Sequence, residues 1–301
     1  MKIVGDLYSF ISMEENNLIL KNWLQQEKVF KNNLIISRKR PTKDSVHDLR
    51  VSVKKMRSYL RLKEQFTGDK WKESFSKVSA LFKSFGRLRD YDMSLTLIRK
   101  FERKEHVSFI FFKEYLSVNR SLTRKWAKQE AIKFNEHEPD IFNEQFNFVA
   151  GTNAEVCGKI IQLSAMRIKK VKNLSKHFQK NAHEIRKQLK DIYYWLKICP
   201  KDLAENFINL KTVDRMLNYL GSWQDHIILR KKIKQYVKDL PKKNEEKEML
   251  KTFEKKLITA QKGLVNKAVK KWKELETKKP IHSNRIKSVP QTPIESEYIH
   301  T

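Results

Sequence analysis

Glycine and proline are scarce, with seven of each in 301 residues. Tight turns and strand connections draw heavily on both, so a turn-rich β architecture is disfavoured and long helices are favoured. Cysteine is scarcer still. Cys157 and Cys199 are far apart in the sequence and fit neither a CxxC nor a zinc-ligand spacing. They read as two small core residues in a reducing compartment. No stretch approaches the roughly 18 apolar residues of a membrane span. The longest apolar cluster, Phe109 to Phe112, is bounded by His106 and Lys113. The opening stretch MKIVGDLYSFISMEENN carries Asp6, Glu14 and Glu15 and lacks the apolar centre of a signal peptide. Cytoplasm is the expected location, with no membrane partner. Acid is also in short supply: 35 Asp and Glu stand against 64 Lys and Arg, a net charge of +29. A body so charged repels itself and gathers anions.

Hydrophobic residues make up 40% of the chain, enough for a sizeable core. They recur at helical spacing almost throughout, predicting helices over 15–36, 45–65, 70–103, 107–134, 155–179, 183–198, 203–238 and 244–276. Thr67-Gly68-Asp69 and Cys199-Pro200 mark two breaks. Residues 135–158 contain no Lys or Arg but hold Glu136, Glu138, Asp140, Glu144 and Glu155, with Pro139 and Gly151 interrupting. The resulting division is an N-terminal extension over 1–11, a helical half over 12–134, an acidic connection over 135–157, a second half over 158–276, and a polar, proline-bearing tail over 277–301 that is expected to be disordered.

The two halves repeat. His47-Asp48-Leu49-Arg50 is followed by Lys54, Arg57 and Arg61; His183-Glu184-Ile185-Arg186 is followed by Lys190 and Lys197. An offset of 136 carries His47, Arg50, Lys54 and Arg61 onto His183, Arg186, Lys190 and Lys197. It also carries Leu49, Val53, Met56 and Leu60 onto Ile185, Leu189, Ile192 and Leu196. Downstream, an offset of 135 aligns Gly86-Arg87-Leu88-Arg89-Asp90 with Gly221-Ser222-Trp223-Gln224-Asp225.

Positions 47, 50, 54, 57 and 61 step by three and four, so they share one helix face over roughly 21 Å. The apolar stripe 49, 53, 56, 60 lies one residue, about 100°, away. A solvated face would lie opposite the core; this basic stripe borders it, where a groove between helices would run. Like charges at these spacings cost about 0.2–0.5 kcal/mol per pair in an isolated helix, and an anion would neutralise them. Arg offers a planar fork to phosphate oxygens and Lys a mobile charge. Ser45 with Asp48, and Asn181 with Glu184, resemble capping arrangements that would set each histidine near a helix N-terminus. Gly86 and Gly221 sit inside helical patterns at matched positions, which argues for close helix contact there. Asp90 and Asp225 read as structural partners of basic residues.

These motifs resemble the CHAD family, the conserved-histidine α-helical domains. Val46 to Arg57 looks like its first signature helix, and Phe85 to Asp90 like its Gly-x-x-Arg-Asp element. His183-x-x-Arg186-x-x-x-Lys190 with Tyr194, and Leu220-Gly221-x-x-x-Asp225, look like their counterparts in the second half. The resemblance spans residues 12–276. It implies an all-α fold of two four-helix bundles related by a pseudo-twofold axis, with a basic channel or groove between them that binds inorganic polyphosphate, and no catalysis or cofactor. The ligand contacts it implies are His47, Arg50, Lys54, Arg57, Arg89, His183, Arg186 and Lys190. Arg61, Lys83, Arg87 and Lys197 extend the basic rows by helical spacing. Gly86, Asp90, Tyr193, Tyr194, Gly221 and Asp225 are the supporting positions. The pattern usually has Arg where Tyr193 stands, so the second half is expected to grip less strongly. Association with polyphosphate granules or regulation of polyphosphate metabolism would follow from such binding.

Two other readings weigh less. A metal-dependent phosphate hydrolase would use His47, His183, Asp90 and Asp225, but neither histidine has an HxxxH or HExxH neighbour, and the surrounding cations oppose a divalent metal. The Glu-x-Glu-x-Lys signature of triphosphate-tunnel hydrolases, a P-loop and a Ser/His/Asp arrangement are all missing. Nucleic acid would adhere nonspecifically to a chain of +29. Specific single-strand readers expose aromatics among their basic residues, whereas Phe75, Phe82 and Phe85 follow the apolar stripe and read as core.

Overall fold

The computed structural model describes residues 17–134, 151–241 and 244–277. These form nine helices and no strands among the described residues: α1 Leu18–Lys39, α2 Lys43–Thr67, α3 Ser76–Glu105, α4 Ile110–Lys133, α5 Asn153–Ser175, α6 Phe178–Leu196, α7 Lys201–Phe207, α8 Leu210–Lys238 and α9 Glu245–Thr277. The extension over 1–11, the tail beyond 277 and most of the acidic connection lie outside the described residues. None of the helices is long and apolar enough to cross a membrane.

Local chemistry sets the boundaries, and several differ from those expected. Thr42 caps α2, its hydroxyl accepting from Ser45 N while Ser45 Oγ accepts from Thr42 N. The cap therefore falls three residues before Ser45 and the helix starts at Lys43, because the Thr-Ser pair satisfies two free N–H groups reciprocally. Asn181 is no cap either: α6 begins at Phe178, and Asn181 Nδ2 donates back to the Leu174 carbonyl. Both His47 and His183 thus lie more than a turn inside their helices. Thr152 and Glu155 form a capping box that starts α5 within the stretch expected to be linker. Gly68 ends α2 in the left-handed region, φ 78°, which favours glycine. The segment expected as one helix over 203–238 is two, since Asn209 accepts from Thr212 N and begins α8 anew.

Helix α1 packs on α2, α2 on α3, α3 on α4, and α4 returns to α1; in the second half α5 packs on α6, α6 on α8, and α8 on α9. The halves meet where α2 packs on α6 and α3 on α8. The predicted stripes belong to the main apolar cluster: Leu49, Val53 and Met56 on α2 and Ile185, Leu189, Ile192 and Leu196 on α6 are fully buried. A second apolar cluster joins the C-terminal ends of α3 and α8 to the N-terminal ends of α4 and α9, with Phe109, Phe112, Leu229 and Phe253 among its members. Between the clusters α3 buries no apolar side chain from Leu88 to Leu95, and α8 buries none from Leu220 to Leu229. The Arg89-Asp90 and Gln224-Asp225 segments fall in that polar gap.

Candidate functional site

The gap gathers charge from four helices. Arg50, Lys54 and Arg57 come from α2, Arg186 and Lys190 from α6, Arg89 and Asp90 from α3, and Asp225 from α8. Lys54 lies within electrostatic reach of Arg50, Arg186, Arg89 and Asp225, and Lys190 within reach of Arg186, Lys54 and Arg50. Burial, then these cations, pushes Lys54 down to about 7 and Lys190 down to about 6. Burial likewise lowers Arg50 to about 10, and it lowers Arg57 and Arg186. His47 is held below its usual range by burial and by Arg89. The two carboxylates respond in the opposite sense: burial raises Asp90 and Asp225, and the surrounding Arg and Lys side chains only partly oppose it. Low polarity favours the neutral form of every group; the crowded positive charge adds to this for the lysines and arginines and opposes it for the carboxylates.

Individual guanidinium groups are held in place. Arg50 Nη1 donates to the Phe82 carbonyl at 2.9 Å, and its guanidinium carbon lies 4.3 Å from the Phe82 ring centroid. Arg57 lies over the same ring at 4.5 Å. Gly86 leaves room for Arg50: a β-carbon there would stand 2.7 Å from Nη1. At the matched position a β-carbon on Gly221 would stand 3.3 Å from Arg186 Nη2. The matched spacing predicts close helix contact there; the neighbours these glycines admit are instead arginine side chains, and at Gly221 nothing but Arg186 would come within 4 Å of a β-carbon. Three arginine nitrogens in this region, Arg57 Nε, Arg89 Nη1 and Arg186 Nε, are buried and donate to nothing. Unsatisfied buried donors are costly, about 1–3 kcal/mol each and more when charged.

Other expected contacts lie elsewhere. Arg61 does not continue the row freely: it forms a two-point bond to Asp191 of α6, Nε at 3.0 Å and Nη2 at 2.5 Å. Asp191 is buried, accepts also from Ser58 Oγ at 2.8 Å, and faces Arg167 Nη2 at 3.4 Å. Trp195 Nε1 donates to the Ser58 carbonyl, completing a tie between α2 and α6. Arg87 turns outward over the Trp126 ring of α4, with Lys83 exposed one turn earlier. Lys197 is exposed over the Tyr193 ring, and His183 is exposed at the start of the second basic row. Tyr194, in contrast, is pushed up to about 12 by burial, with Arg186 opposing, so it belongs beside that arginine.

Three contributors were not legible as site residues. Phe82 has the spacing of a core residue yet serves as the platform for two guanidiniums. Asp191 interrupts the repeat, since the offset of 136 would match it to Lys55. Lys232, coupled to Asp90 and lowered mainly by burial to about 8, has no matching motif. No group of three His, Cys, Asp or Glu side chains converges as metal ligands among the described residues.

The crystal structure of the CHAD domain from the plant Ricinus communis matches with a TM-score of 0.67 and 14% identity, over 84% of this chain and 89% of that one, a likeness of fold. No curated protein matches the sequence. The family model described as CHAD domain matches residues 20–234, more than half of the chain, which therefore belongs to the CHAD domain family.

Proposed function

We propose that the chain binds inorganic polyphosphate, without catalysing its turnover, in a basic channel between two matched four-helix bundles, α1–α4 and α5, α6, α8 and α9. The observation that carries this reading is the set of buried donors left open at Arg57, Arg89 and Arg186 beside two lysines whose charge the fold disfavours. A row of phosphates supplies what each lacks: acceptor oxygens for the guanidiniums and counter-charge for the ammonium groups. His47, Arg50 and Lys54 from the first half, and Arg186 and Lys190 from the second, would then hold one chain together. Arg61 contributes by fixing α2 against α6. His183, Lys83, Arg87 and Lys197 would act as outer contacts along the approach. The charge alone would also attract nucleic acid, but Phe82 already carries two guanidiniums over its ring, where a base would have to compete with them to stack. A protein of this kind would reside in the cytoplasm, at polyphosphate granules or with enzymes of polyphosphate turnover.

The test is a titration with polyphosphate long enough to cross the gap, using the unsubstituted chain, Arg50→Glu, Arg186→Glu and the double variant. One polyphosphate per protein is expected, with each substitution weakening the same binding event and the two effects non-additive. An equal charge of RNA should compete poorly. Two independent sites, each abolished by its own substitution, would overturn the shared channel. Indifference of folded variants to either substitution would overturn the site itself.

A further inference from the structure

We propose that the half-open cavity lined by α3, α8 and α9 is a separate ligand site that takes a small amphipathic anion, a carboxylate head on an aliphatic body. The cavity holds about 770 Å³. That is the size of a small-molecule site, typically about 300–1,000 Å³, mostly apolar with a few convergent polar groups. Its apolar wall comes from Leu97 and Phe101 on α3 and from Phe253, Leu257 and Leu264 on α9. Its charge is one-sided. Lys100, Lys104, Lys255 and Lys256 line it against a single acid, Glu105, which is already bonded to Lys256. None of the residues assigned to polyphosphate lines it, so this inference stands apart from that reading.

The polar end is set by His226 on α8. Its ring lines the cavity, while its Nδ1 is buried beside the Ser222 backbone one turn earlier and is not itself open to a ligand. Burial, then Lys100, holds the imidazole below its usual proton affinity, so at neutral pH it is uncharged while Lys100 beside it carries the positive charge. A carboxylate seated between them meets a cation directly and draws a proton onto the ring. The aliphatic body then lies along the phenylalanine and leucine wall.

The sequence repeat isolates this feature. Continuing the offset of 135, His226 corresponds to Tyr91 and Leu97 to Lys232. At the corresponding place Lys232 Nζ lies 3.0 Å from the Tyr91 ring centroid, so those two side chains close on each other. A histidine and a leucine, both lining the cavity, replace that contact pair here.

Decanoate, kept below its micellar concentration, is the probe, and calorimetric titration of the full chain is the readout. Decanoate should bind one per chain, at least about tenfold tighter than decanol, whose head is neutral. Ala260→Trp, at an exposed residue lining the cavity, should fill it and weaken decanoate by about tenfold or more. Lys100→Glu should weaken decanoate but not decanol. Saturation with polyphosphate should leave decanoate affinity within about twofold. Displacement by polyphosphate, several equivalents per chain, or a folded Ala260→Trp variant that binds as before would each overturn the site. Binding confined to anionic phospholipid vesicles, with none to monomeric decanoate, would overturn it as well.

Discussion

Arg50 lies across Gly86, its Nη1 only 2.7 Å from where a β-carbon on that glycine would stand. Glycine inside a helix costs about 1 kcal/mol relative to alanine, so the position sacrifices helix stability to admit a side chain. Gly86→Ala should therefore push the Arg50 guanidinium away from the Phe82 carbonyl. Because that guanidinium ends a flexible side chain, the fold should survive with its melting temperature level or raised. Polyphosphate affinity should drop. Gly221→Ala, with 3.3 Å to Arg186 Nη2, should lose less. Binding and thermal unfolding measured side by side check this. Equal affinity loss in the two variants would contradict the difference in clearance.

Lys54 and Lys190 make stability depend on pH in a defined sense. Their folded values, about 7 and about 6, lie below the ordinary lysine value of 10.5. Below about pH 6 both the folded and unfolded chains carry these charges, and the fold bears the full cost of burying them. As pH rises through 6 to 7 the folded chain releases protons that the unfolded chain keeps until it passes its own higher value. The unfolded state then binds more protons, and stability rises with pH. His47 and His226, also lowered, act in the same direction. The urea midpoint of the unliganded protein should be higher at pH 9 than at pH 6, with a flatter dependence in a Lys54→Met, Lys190→Met variant. Polyphosphate favours the charged forms, so calorimetry at pH 8 in buffers of different ionisation enthalpy should show proton uptake on binding. A midpoint that falls from pH 6 to pH 9 would refute the assignment.

Much of this site was legible because its signal is periodic. The stripe Leu49, Val53, Met56 and the offset to Ile185, Leu189 and Ile192 needed only spacing, and those side chains are the buried ones. The basic rows bordering them were legible for the same reason, down to Arg50, Lys54, Arg186 and Lys190. Capping was harder. Thr42 and Ser45 were both present in the sequence, but the choice between Thr42 and Ser45 as the cap depends on geometry three residues apart. The break before Asn209 carried no proline or glycine to announce it. Phe82 was hidden because an aromatic on an apolar stripe has the same spacing whether it faces the core or a guanidinium. The Arg61 and Asp191 contact joins positions 130 apart, which no local pattern encodes.

That contact carries its own prediction. Asp191 is the acid between Arg61 and Arg167, and it also accepts from Ser58. Asp191→Ala would leave two guanidiniums facing each other at the α2–α6 crossing. Removing one partner of a fully buried pair costs about 3–5 kcal/mol. The Arg61 side chain is 35% exposed, so solvent screening brings the expectation down to about 2–3 kcal/mol. Chemical denaturation measures it. Arg61→Met should restore part of the loss in the Asp191→Ala background, because it removes one of the stranded charges. Absence of any such rescue would show that the tie is a matter of shape.

Phe82 allows the role of a platform to be separated from the role of a charge. Arg50 and Arg57 both lie over its ring, at 4.3 and 4.5 Å. Phe82→Leu keeps the backbone carbonyl that Arg50 bonds and keeps an apolar side chain, but removes both cation–π contacts. Each is worth about 0.5–1 kcal/mol at a partly exposed site. If the ring holds the guanidiniums ready for phosphate, affinity for polyphosphate should fall by roughly five- to thirtyfold. Every cation is retained, so the slope of log affinity against log salt should not change. Arg57→Ala should behave differently: it removes a cation, and the slope should become shallower by on the order of 0.7, as for a flexible polyanion losing one neutralised charge. A Phe82→Leu variant with unchanged affinity would reduce Phe82 to the plain core residue its spacing suggested. A changed slope in that variant would mean that the arginines leave the channel altogether once their platform is gone.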